Sequence, residues 1–142
     1  MRYAYLLVTA SALAGCTSAI AGSDGDPQLE FTVREMTAGN YMPAPVVTAT
    51  GGDGEIVVQA ELSAPDPCQR VRAELDGEGK SLRLDVYIER VGEACVAVIG
   101  NFGYTGRVHG LPAGSYTLAV RHTYPGTGWP GGTVHTTTVN VD

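Results

Sequence analysis

The sequence predicts an all-β domain, and three observations lead there. Apolar and polar residues alternate with period two in one segment after another, turn formers are abundant with 19 Gly and 8 Pro in 142 residues, and no stretch carries a 3.6-residue apolar period. The length is that of one small domain and excludes a two-domain enzyme, while a 44% hydrophobic content excludes a chain too polar to fold.

The first strand opens at the start of the domain assigned to residues 28–142, with Leu29, Phe31 and Val33 on one face and Glu30, Thr32 and Arg34 on the other. A stretch containing Gly39, Pro43 and Pro45 interrupts the pattern. Val46 to Thr50 resumes it, a Gly51-Gly52-Asp53-Gly54 turn follows, and Ile56, Val58, Ala60 and Leu62 then face one side. Pro65-Asp66-Pro67 forbids ladder pairing and delivers Cys68 into a run with Val71, Ala73 and Leu75 inward. Across Asp76-Gly77-Glu78-Gly79 the next strand points Leu82, Leu84, Val86 and Ile88 inward. Pairing Leu75 with Leu82 sets Glu74 opposite Arg83 and Arg72 opposite Asp85, so cross-strand charge predicts the register of this hairpin.

Cys95 to Gly100 is a continuous apolar run, expected to form a central strand buried on both faces and to continue through Phe102, Tyr104 and Val108. The final strand is Thr133 to Asp142. If Cys68, the 82–89 strand and Cys95 lay on successive strands of one flat sheet, the cysteines would stand ~10 Å apart, beyond the ~7 Å Cα limit for a disulfide. One cysteine must therefore leave that sheet, either over its edge or into a second, facing sheet.

At the N-terminus, Met1 and Arg2 precede an apolar run, Tyr3 to Ala14, too short to span a bilayer as a helix, which reads as a secretory signal. It ends in Leu13-Ala14-Gly15-Cys16, which resembles the lipobox of bacterial lipoproteins. The resemblance implies cleavage after residue 15, acylation of Cys16, a tether over residues 16–27 and attachment to a bacterial membrane, with Thr17 pointing to the outer one. The alternative is plain secretion with cleavage after Ala19-Ile20-Ala21; both place the domain outside the cytoplasm. The net charge of −6 becomes more negative once Arg2 is removed, so nothing electrostatic draws the domain to nucleic acid or anionic lipid, and attachment rests on the acyl chains. With Cys16 taken by lipid, Cys68 and Cys95 remain as an even pair in an oxidising compartment, and a disulfide is expected.

Leu111-Pro112-Ala113-Gly114-Ser115-Tyr116 resembles the tyrosine corner of immunoglobulin-like and fibronectin type III-like sandwiches. The resemblance implies that the Tyr116 hydroxyl bonds back to the backbone upstream and locks the turn into the penultimate strand. The expected architecture is thus a single immunoglobulin-like antiparallel β-sandwich of about seven strands, without the Trp that antibody domains pack on their disulfide.

Candidate functional residues are few. His109, His122 and His135 recur at intervals of 13 and fall near strand ends, so a copper or zinc site is conceivable if they converge, with Met36 or Met42 adding a thioether. His122 shares parity with core-facing Tyr116, Leu118 and Val120, which favours a buried, hydrogen-bonded ring instead. The loop Tyr124 to Gly132 holds the single Trp, Trp129; with Tyr124 it forms either a recognition surface or a cap on the open end of the sandwich. Ser23-Asp24-Gly25-Asp26 and Gly52-Asp53-Gly54-Glu55 lack the remaining ligands of a calcium loop and read as tether and turn. No nucleophile elbow, phosphate loop or metalloprotease motif is present. These residues point to a non-enzymatic binding or structural module of the cell envelope without a cofactor, whose partners are the membrane through its anchor and an envelope protein or glycan.

Overall fold

A computed structural model describes residues 26–36 and 39–142; the signal segment, Cys16 and most of the tether lie outside the described residues. Eight strands follow one another: β1 (Gln28–Met36), β2 (Val46–Gly51), β3 (Glu55–Ala64), β4 (Gln69–Glu78), β5 (Ser81–Arg90), β6 (Gly100–His109), β7 (Gly114–Thr123) and β8 (Gly132–Val141). They form two four-stranded sheets, β1-β6-β3-β2 and β4-β5-β7-β8. The inward parity read from the sequence is the parity observed: Ile56, Val58, Leu62, Leu84, Val86, Ile88, Val108, Leu118 and Val120 are fully buried between the sheets. This all-β sandwich is compatible with an immunoglobulin-like one.

The pairing expected to be antiparallel throughout departs at one place among the described strands, since β5 and β7 run parallel. After β5 the chain crosses to the facing sheet as β6 and returns as β7, so two strands of one sheet are joined through the other and point the same way.

The β4–β5 register is displaced by two residues from the expected one: Leu75 faces Leu84, Glu74 faces Asp85 and Asp76 faces Arg83. The strands continue through Gly77 and Glu78, and only Gly79 and Lys80 form the turn, with Gly79 at φ 58° and Gly77 at φ 142°. Parity is kept, so no core side chain changes face. The like charges Glu74 and Asp85 that now stand opposite are compensated by arginines: Arg72 bridges Glu74, two residues along its own strand, and Glu89, diagonally across, at 2.6 and 2.7 Å, and Arg83 bridges Asp76, directly opposite, and Asp85, two residues along its own strand, at 2.6 and 2.8 Å. The hydrogen bond from Arg72 holds the Glu89 carboxyl below its ordinary pKa.

The Cys95–Gly100 run is not a buried strand. Residues 91–99 form the irregular crossover between sheets, Val96 and Val98 are 64% and 45% exposed, and β6 begins only at Gly100. The physical reason is the Cys68–Cys95 disulfide, with Cα atoms 6.0 Å apart, which holds the segment against the start of β4 and away from any ladder. Apolar composition alone does not make a strand where a covalent link dictates the path. From Gly100 onward the central position holds, with β6 between β1 and β3. Closing the loop between the cysteines stabilises the fold by roughly 3 kcal/mol.

Candidate functional site

The two ends of the sandwich are built differently. At the end where β1 begins, Tyr116 is buried and its hydroxyl donates to the Pro112 carbonyl at 2.7 Å, the geometry of a tyrosine corner. Lys80 covers it: its Nζ lies 4.1 Å from the ring centroid and donates to the carbonyls of Pro112 and Ala113 and to the Tyr116 oxygen. The sheets are stitched here by main-chain bonds, Gly54 N to Asp142 O, Asp142 N to Gly52 O and Leu111 N to Gly54 O. Gly51 lies so close to β8 that a Cβ would fall 1.7 Å from the Asn140 carbonyl oxygen.

At the opposite end the edges of β2 and β8 separate and leave a cavity of about 260 Å³. Its walls are Tyr41, Tyr124 and Trp129 with Pro43, Pro45 and Pro130, and its inner part is reached by Met42, Ser63, Val134 and His122. No lining residue is charged.

Three local devices build this end. Ser63 Oγ, at the end of β3, donates to Asn101 Oδ1 at 2.7 Å and accepts from the Met42 N–H at 2.9 Å, while Asn101 Nδ2 donates to the Asn40 carbonyl. This network pins the proline-rich connection before β2 and sets Tyr41 over the cavity. In the β7–β8 loop, Thr127 Oγ1 donates to the Tyr124 carbonyl and accepts from the Trp129 N–H at 3.1 Å, so one hydroxyl shapes the loop from within. Gly126 takes the left-handed φ of 74° that this turn needs. The Trp129 ring consequently lies between two tyrosines, 5.7 Å from the Tyr41 centroid at 85° and 5.7 Å from that of Tyr124 at 56°. Such edge-to-face packing holds the rings while leaving faces open.

His122, from the end of β7, sits at the inner limit of the cavity with no solvent exposure. Its Nε2 shares a 2.9 Å hydrogen bond with the Tyr104 hydroxyl, and its Nδ1 has no partner. Burial lowers its pKa from 6.5 to about 4, so the ring is neutral at physiological pH, and burial likewise raises the Tyr104 phenol. Tyr124 is also raised, by burial first and then by Tyr41.

The three histidines do not form a ligand set. His135 pairs with Val120 and His122 with Gly132, so the β7–β8 register does not set the two histidines opposite each other, and a bulge at Val120/Arg121 displaces them by one residue more. His109 ends β6 at the far end of the other sheet, beside Glu30 and Glu55 at 3.4 and 3.3 Å. Among the described residues the one close group of three metal-type donors is Asp66, Cys68 and Cys95, whose sulfurs are spent in the disulfide. Met42 lines the cavity, and the side chain of Met36 lies outside the described residues.

Trp129 and Tyr124, singled out from sequence as recognition surface or cap, are half-buried and line the cavity at the open end. Tyr41, Ser63 and Asn101 escaped the sequence reading. The available signal was Asn40-Tyr41-Met42-Pro43, an aromatic residue flanked by a turn former and a proline, but nothing local says that this loop meets the one bearing Trp129. A second depression, of about 370 Å³, lies on the outer face of the β1-β6-β3-β2 sheet between Thr32, Thr48, Gln59 and Thr105. It is an ordinary solvated sheet surface, and none of the unpartnered buried atoms among the described residues lines it. Comparison with protein-family models, curated proteins and solved structures finds no match for this chain.

Proposed function

We propose that this protein is a lipoprotein of the bacterial cell envelope, anchored through Cys16 and acting as a non-enzymatic binding module through the end bearing Tyr41, Tyr124 and Trp129. The observation that carries the reading is the uncharged cavity lined by three aromatic rings at the open end of the sandwich. A cavity built only for stability would be filled, since an unfilled void forfeits packing energy. Its position supports the same reading. The tether enters at Gln28, which pairs with His109, whereas the Trp129 loop lies past the opposite ends of the strands, roughly 30 Å away for ten residues of strand. A module anchored at Cys16 thus presents its aromatic end away from the membrane, with the outer membrane as the proposed site of attachment.

Metabolic labelling with an alkyne fatty acid tests the anchor: the protein incorporates label and the Cys16→Ser variant does not. A photo-crosslinking amino acid at position 41 in living cells tests the binding end. Adducts from position 41, with none from Thr138 on β8, are the expected result; no adduct from position 41 overturns the binding reading.

A further inference from the structure

Away from the aromatic cavity, donors of metal-ligand type converge at the start of β4. An oxygen of Asp66 and the sulfurs of Cys68 and Cys95 all lie within 4.8 Å of one another. Asp66 is only 8% exposed, and its two hydrogen bonds both arrive at Oδ1, from the Cys68 N–H and from Gln69 Nε2, each at 2.9 Å. Among the described residues Oδ2 receives none, and no cationic side chain pairs with this carboxylate. Gln69 is 6% exposed and its Oε1 has no partner, so the amide that orients Asp66 itself ends in a buried acceptor with no donor. A buried carboxylate without counter-charge and a buried acceptor without a donor are both costly, and the disulfide satisfies neither. A cation would satisfy both.

The frame of this place does not depend on the disulfide. The Val91 N–H donates to the Cys68 carbonyl at 2.9 Å, and Gly100 packs so closely on the loop before β4 that a Cβ would fall 2.6 Å from the Asp66 carbonyl oxygen. Cys95 lies between these two anchors and belongs to no ladder, so its sulfur is free to part from that of Cys68. Two thiolates on one zinc ion, at bonds of about 2.3 Å, stand roughly 3.7 Å apart in tetrahedral geometry. Two thiolates, a carboxylate oxygen and one neutral oxygen make a donor set that suits zinc.

We infer that Asp66, Cys68 and Cys95 form a zinc site in the reduced protein, with Gln69 Oε1 in the fourth position, so that the cysteine pair holds either a disulfide or a metal ion. The exchange balances with a dithiol as reductant. One of its thiolates attacks a sulfur of the Cys68–Cys95 bond, its second sulfur closes on the mixed disulfide, and the dithiol leaves as a cyclic disulfide while Cys68 and Cys95 keep its two protons. Zn²⁺ then displaces both protons as it binds.

The full-length protein in detergent micelles is reduced with dithiothreitol, freed of reductant under argon and titrated with Zn²⁺ against a chromophoric chelator. A parallel titration uses Cd²⁺, whose ultraviolet charge-transfer band reports thiolate ligands. The expected result is one ion per reduced chain, with the emission of the single Trp, Trp129, still that of the oxidised fold. The oxidised protein takes up none, and neither does the reduced double variant Cys68→Ser with Cys95→Ser, which also subtracts any contribution of Cys16. Asp66→Asn can still accept the Cys68 N–H and keep the turn, yet weakens Zn²⁺ binding tenfold or more. No uptake by the reduced chain, uptake by the oxidised one, or equal affinity in Asp66→Asn overturns the inference. So does a reduced chain whose Trp129 emission matches that of the urea-unfolded protein, because its thiols would then bind without a built site.

Discussion

The seam between β2 and β8 is made twice in this molecule, once closed and once open. At the end where β1 begins, β2 touches β8 at Gly51 and Asn140, main-chain bonds tie Asp142 to the β2–β3 turn, and Tyr116 is buried with its hydroxyl satisfied. At the other end the same strands part, three aromatic rings stand half in solvent, and His122 keeps a nitrogen without a partner. Both ends use tyrosine, but to different effect. A buried Tyr with a local acceptor stabilises a turn; partly exposed rings around a cavity forgo some stability and leave surface for a ligand. The closed end holds the sheets in place, and the open end can therefore remain incompletely packed.

The largest way to break this contrast is to force the closed seam apart. Gly51→Ala places a methyl group against the Asn140 carbonyl, and urea denaturation should show a loss of about 3 kcal/mol. A comparable effect without mutation comes from acid. His122 binds a proton at 6.5 when unfolded and at about 4 when folded, so the stability it allows is complete above pH 6.5 and is lost as the pH falls toward 4. Over that window denaturation midpoints should report up to about 3 kcal/mol of loss, and His122→Gln should flatten the slope. Smaller is Tyr116→Phe, which leaves Lys80 and Pro112 without the hydroxyl and should cost about 1 kcal/mol at the closed end while leaving Trp129 emission unchanged. Smallest in stability is Tyr41→Ala, within about 0.5 kcal/mol of the parent by the same denaturation, although its emission spectrum shifts as Trp129 loses a neighbour. A large stability loss in Tyr41→Ala would mean that the open end is structural after all.

Strand parity was legible from the sequence because it is a local property: a period of two assigns each side chain to a face whatever its neighbours do, and Ile56 to Leu62 or Leu82 to Ile88 therefore read correctly. The same logic exposed His122 as a core residue, while the resemblance of Leu111 to Tyr116 to a tyrosine corner marked Tyr116 as the key to its turn. Register was less legible. The choice between Leu75 opposite Leu82 and Leu75 opposite Leu84 keeps parity, and it was settled by a turn that closes on two residues and by arginines that each also bond a carboxylate two residues along their own strand, where cross-strand pairing alone had been expected. The run from Cys95 to Gly100 shows where a local rule fails, because its path obeys a covalent bond to Cys68.

What the sequence determined by itself is thus an all-β sandwich with its core faces and a locked tyrosine turn, since each follows from alternation or from a short motif acting within a few residues. Only the tertiary structure decided that β5 and β7 run parallel, that the histidines stay apart, and that Tyr41 meets Trp129 above His122. Those contacts join segments distant along the chain, and their formation depends on how crossovers and edges close in space, which no local period records.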